Sequence, residues 1–100
     1  MSQRLFVAFV HRTDAWVPSL PPQEQPGFAG HAKFVAELEA TGFVAMAGLM
    51  QPSNDVLFIF RAGSEAEVRQ RMSQDPWQRD GHTRLGRVEE AHFRIGSPGG

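Results

Sequence analysis

The chain has 100 residues, 41% of them hydrophobic, with ten basic and eleven acidic side chains and no cysteine. That supplies apolar material for one domain with one core, and it excludes a disulfide framework or a thiolate metal site. The balanced, scattered charge provides no stripe for a nucleic-acid backbone, and the first apolar run is too short for a signal peptide or a membrane span; the chain therefore reads as untargeted and cytoplasmic, with no nucleic-acid or membrane partner.

Arg4 to Val10 is apolar on both alternating sets, Leu5, Val7 and Phe9 against Phe6, Ala8 and Val10, as in a strand covered on both faces. His11 to Pro26 follows with four prolines, a density that excludes regular helix or central strand and predicts a long loop. From Phe28 to Ala40 the spacing turns helical: Phe28, His31, Phe34, Val35 and Leu38 share one side, and Gly42 supplies a stop.

Phe43 to Leu49 predicts a second strand, Gln51 to Asp55 a turn, and Val56 to Phe60 a third strand apolar on both faces. Ser64 and Glu67 form a capping box for a second helix reaching about Gln74, with Val68 and Met72 facing the core and Pro76 ending it. After a loop containing Gly81, the alternation of Ala91, Phe93 and Ile95 against Glu90, His92 and Arg94 predicts a half-buried strand over Val88 to Ile95. Residues 1–96 thus form a single domain, and 97–100 a flexible tail.

The order βαββαβ on one sheet predicts an α+β, ferredoxin-like fold: a four-stranded antiparallel sheet, strands one and three central, with two helices on one face. Two helices leave the other face open, and the second faces of Phe6, Ala8 and Val10 and of the third strand make it apolar. An identical subunit stacked sheet against sheet would cover it as a two-fold dimer. The same topology gathers His11, His31, the turn at Ser53 to Asp55, Asp75, Arg79 and His82 at one end, beside the proline-rich loop.

In order and spacing, His31 early in an amphipathic helix, Ala47-Gly48 ending a strand, and Gln74-Asp75-Pro76-Trp77 followed by Gly81 resemble the YCII-related (YciI-like) family of small dimeric ferredoxin-like proteins. The resemblance spans about Leu5 to Ile95. It implies a dimeric α/β barrel-type assembly and a site built on a histidine and an aspartate, matching His31 and Asp75. It also implies, by analogy with one branch of the family, elimination chemistry on a small aromatic substrate. This chain departs from the family where Phe28 replaces an arginine that often stands three residues before the histidine, and in its short turn from Gln51 to Asp55.

Chemically, Asp75 can orient the His31 ring and stabilise an imidazolium during turnover, which suits proton abstraction or elimination without a cofactor. A nucleophilic mechanism has no cysteine and no activated serine to use. The structural alternatives are a core-side histidine on the Val35 stripe and an aspartate that merely precedes a proline turn. Candidate substrate contacts are His11, Trp16, Phe28, Gly48, Ser53 and Trp77, with the two tryptophans able either to line a pocket or to anchor their loops. His11, His31, His82 and Asp75 are metal-competent residue types, but their spacings match no ligand motif, so no metal is assigned. The resulting expectation is a cofactor-free lyase or isomerase acting on a small-molecule substrate; the alternative is a noncatalytic dimeric ligand-binding or accessory module.

Overall fold

Alternation along the first strand decides how the layers stack. In the computed structural model, which describes residues 4–96, β1 (Arg4–Arg12) sends Phe6, Ala8 and Val10 into the core, with exposures of 2%, 0% and 7%. There they meet α1 (Phe28–Ala40) and α2 (Glu65–Met72) through Leu38, Val68 and Met72. The expectation that Phe6, Ala8 and Val10 line the open face is therefore corrected: that face carries Leu5, Val7 and Phe9. Both sets are apolar, so composition alone could not say which faces the helices.

The sheet order is β2-β3-β1-β4, all antiparallel, where β2 is Val44–Leu49, β3 is Val56–Ala62 and β4 is Thr83–Ala91. This α+β arrangement fits a ferredoxin-like fold, with the two doubly apolar strands central as expected. Phe58, Phe60 and Ala62 of β3 face the helices, and each fully buried large side chain such as Phe60 stabilises the fold by about 1.5–3 kcal/mol.

Several ends shift by a residue or two, β1 running on to Arg12 and β3 to Ala62, and two elements depart further from the sequence reading. The last strand lies earlier than Val88 to Ile95: it starts at Thr83, opposite Arg12, and ends at Ala91, opposite Leu5. Beyond Ala91 the partner strand is nearly exhausted, so Phe93 and Ile95 are 46% and 94% exposed despite their alternation. Gly86 belongs to this strand rather than to a loop, at an irregularity where β4 carries one extra residue between its pairings with Ala8 and Val10. A side chain at Gly86 would collide with the His11 ring, which lies against that backbone.

The second departure is a short third helix, α3 (Pro76–Arg79). Pro76 does not simply end α2; it occupies the first turn of α3, where a missing N–H costs nothing. The tail expected over 97–100 lies outside the described residues. No helix among the described residues is long and apolar enough to cross a membrane.

Candidate functional site

The site begins with a cap. Asp75 follows α2 and takes the N-cap position of α3, where its Oδ1 accepts the Trp77 backbone N–H at 2.9 Å. Burial to 1% exposure then demands partners for the rest of the carboxylate. His31, in the first turns of α1, provides one: its Nδ1 lies 3.0 Å from Oδ1 and 2.9 Å from Oδ2 of Asp75.

An ionised carboxylate can only accept, so Nδ1 carries the proton and donates it to Asp75. The other ring nitrogen, Nε2, has no protein partner among the described residues, and His31 lines a cavity of about 400 Å³. In a neutral ring, the tautomer that this contact selects leaves Nε2 as the acceptor nitrogen.

Packing fixes this geometry from two sides. Trp77 stacks on the imidazole with ring centroids 3.8 Å apart and planes 14° from parallel, while its indole N–H donates to Pro26 O at 2.8 Å. Gly30 lets α1 approach α3 closely, since a Cβ there would stand 3.2 Å from Pro76 Cγ. The glycine thereby sets the distance between the helix carrying His31 and the turn carrying Asp75.

The cavity is bounded by α1, the α3 turn, the proline-rich loop and the β2–β3 hairpin. Its wall is mostly apolar, including Val10, Val35, Leu49, Val56 and Phe58. Of the expected contact residues, Trp16, Phe28, Gly48 and Trp77 line it together with His31 and Asp75. Trp77 also ties the proline-rich loop down through its N–H bond to Pro26 O, and Trp16 meets the Trp77 ring edge-on from that loop.

His11 and Ser53 are not among the lining residues. His11 sits on the outward set of β1, where Nδ1 pairs with Asp55 Oδ1 at 2.9 Å, and Ser53 Oγ accepts the Asp55 backbone N–H. His82 is buried rather than solvated: its Nε2 donates to Gln25 Oε1 at 3.1 Å. The described residues contain no group of three or more His, Asp or Glu side chains placed to hold a metal ion.

Neither protein-family models nor curated proteins provide a match to this chain.

Three residues escaped the sequence reading. Arg12 and Asn54 line the cavity; strand parity carried two residues past Val10 would have pointed Arg12 inward. Gln25, 3% exposed, is the third. Its amide donates to Val17 O and Leu20 O and accepts from Val17 N and His82, which uses every hydrogen-bonding position of that side chain. This one amide folds the proline-rich loop over the cavity, and a glutamine among four prolines gives no sequence signal of such a role.

Proposed function

We propose that the chain is a cofactor-free lyase or isomerase of the YCII-related type, with His31 as general base and Asp75 as the residue that orients it. One observation carries this reading: the Nδ1–carboxylate contact that leaves Nε2 bare at an apolar cavity. A base must reach its proton in the correct tautomer, and a buried carboxylate behind the ring supplies that condition. In the reaction, Nε2 takes a proton from carbon or oxygen of the substrate. Asp75 stabilises the imidazolium until the proton is passed on, to another atom of the substrate in isomerisation, or to the departed anion or solvent in elimination, where the carbon–proton electron pair forms the new double bond as the leaving group takes its own pair. The aromatic wall of Phe28, Trp16 and Trp77 suits a flat, ring-sized substrate.

The protein acts as a homodimer in this proposal. Across β1, β3 and β2 the open face carries Val7, Ile59 and Met46 in one row and Phe9 and Leu57 in the next, with Met46 48% exposed and Ile59 9%, an apolar face that a second copy would cover. Sedimentation at micromolar concentration tests this, and a monomer there overturns it.

The catalytic reading is tested by incubating wild type and His31→Gln in D2O with a panel of hydroxylated and carboxylated aromatic compounds. NMR follows deuterium uptake and elimination products. Exchange or elimination that requires His31 is expected. Ligand binding by wild type with no exchange for any compound would instead identify a binding module.

A further inference from the structure

The inward-facing row of β1 ends in a charge. Phe6, Ala8 and Val10 are buried in the core, and Arg12 extends the same row to the cavity, opposite Thr83, where it also borders a shallower concavity with Asp14 and Pro18. Its guanidinium carbon lies 4.2 Å over the Trp16 ring. Stacking on an indole holds the guanidinium flat and leaves its N–H edge available to a planar acceptor.

Of the described residues, Arg12 is the one arginine that the cavity's lining contains, and it differs from the three arginines held in ion pairs. Arg4, Arg69 and Arg87 pair with Glu90, Glu65 and Glu89. Among the described residues Arg12 has no such ion pair and no side-chain hydrogen bond, although it is half-buried. Among the described residues, the carboxylate lining the same cavity is Asp75, which is engaged by His31 and Trp77, and Asp14 on the adjoining concavity makes no ion pair with Arg12. A guanidinium at the rim of an apolar cavity, held by stacking and not by a carboxylate, keeps its donors free for the negative group of a ligand.

The aromatic wall also orders the cavity. Arg12 covers Trp16, Trp16 meets Trp77 edge-on at 5.2 Å, and Trp77 stacks on His31. Two indoles in succession therefore separate the guanidinium from the imidazole.

On the premise that this cavity is the proposed reaction site, we propose that Arg12 determines substrate specificity: the substrate is a flat, apolar carboxylic acid. Its carboxylate binds the Arg12 guanidinium bidentately, its body lies along Trp16 and Trp77, and its reacting atom faces His31 Nε2. The acid group is held at the end of the cavity away from the atom whose proton moves.

The test uses 2-naphthoate and its neutral counterpart 2-naphthamide as probes, followed by the indole N–H signals of Trp16 and Trp77, the chain's two tryptophans. Wild type should bind naphthoate at least about ten-fold more tightly than naphthamide, the scale of one charge-assisted pair. Arg12→Gln should reduce naphthoate to the affinity of naphthamide while leaving naphthamide unchanged, and Arg12→Lys should lose only part of the preference. Equal binding of the two probes by wild type, an Arg12→Gln loss shared by both, or no indole shift at millimolar probe overturns the assignment. A carboxylate preference that depends on Arg12, together with no deuterium exchange for any acid, would retain this assignment and reject the proton-transfer reading alone.

Discussion

Replacing Asp75 by Asn keeps the shape of the side chain and changes what it can offer His31. In wild type the carboxylate accepts both the Trp77 backbone N–H and the His31 Nδ1–H. In Asp75→Asn the amide oxygen can keep Trp77, which turns the NH2 group toward His31 and confronts one donor with another. The ring resolves this by moving its proton to Nε2, so that Nδ1 accepts from the amide and the nitrogen facing the cavity is no longer a base.

A charge-assisted bond of about 1.5–3 kcal/mol is exchanged for a neutral one of about 0.5–1.5 kcal/mol, a net loss of about 1–1.5 kcal/mol. For a domain of this size that lowers Tm by about 4–8 °C per kcal/mol. Proton-transfer activity should fall by about 10²–10⁴, the usual contribution of a positioned base. Long-range nitrogen–proton correlation NMR reads the tautomer of His31 directly, and a thermal melt reads the stability. If His31 keeps its proton on Nδ1 in Asp75→Asn and Tm is unchanged, the carboxylate does not set the tautomer and the proposed division of labour is wrong.

Gly30→Ala gains about 1 kcal/mol of helix propensity but pushes a methyl toward Pro76, 3.2 Å away; stability should stay within about 1 kcal/mol of wild type while activity falls, as a melt paired with a turnover assay would show. Gln25→Ala strands the Val17 and Leu20 carbonyls and the His82 ring, so a loss of about 2–3 kcal/mol is expected, with new cleavage between Thr13 and Pro26 in limited proteolysis. At the sheet end, the hydrogen-bonded Arg4 guanidinium holds the Glu90 carboxyl below its ordinary range. With the folded-state value below the unfolded one, this pair adds stability above the unfolded value and loses it as pH falls through the folded value. Glu90→Gln should therefore flatten the acid limb of a stability–pH curve, by an amount that shrinks with added salt because the pair is solvent-accessible.

Sequence legibility followed the length of the pattern. The helix over Phe28 to Ala40 and the cap at Ser64 were readable because each rests on local chemistry; Ser64 Oγ accepts the Glu67 N–H, while the Glu67 carboxylate reaches past Ser64 to the Gly63 N–H, so the expected box closes one residue earlier. The contact between His31 and Asp75 was reachable through topology together with a family resemblance, although 44 residues separate them. The last strand was misplaced because its ends depend on where β1 begins and stops, which is information held by the partner strand; Phe93 and Ile95 alternate as if buried and have no strand opposite them. Asp75's capping role was hidden by Pro76, which ends one helix and opens another. Arg12 and Gln25 were overlooked because both lie at or just past the end of a clear pattern, where parity and loop closure matter more than composition.

β1 makes the chain unequal in its tolerance of length changes. Its inward set ends at Arg12 on the cavity, and its outward set ends at His11 beside Asp55. Deleting or inserting one residue before Val10 would turn every later side chain to the opposite face, placing a histidine in the cavity and an arginine on the open sheet. The edge strand β4, already one residue long against β1, accommodates its surplus at Gly86. Variation in length should therefore accumulate at this edge, leaving β1 as the frame against which both surfaces of the sheet are counted.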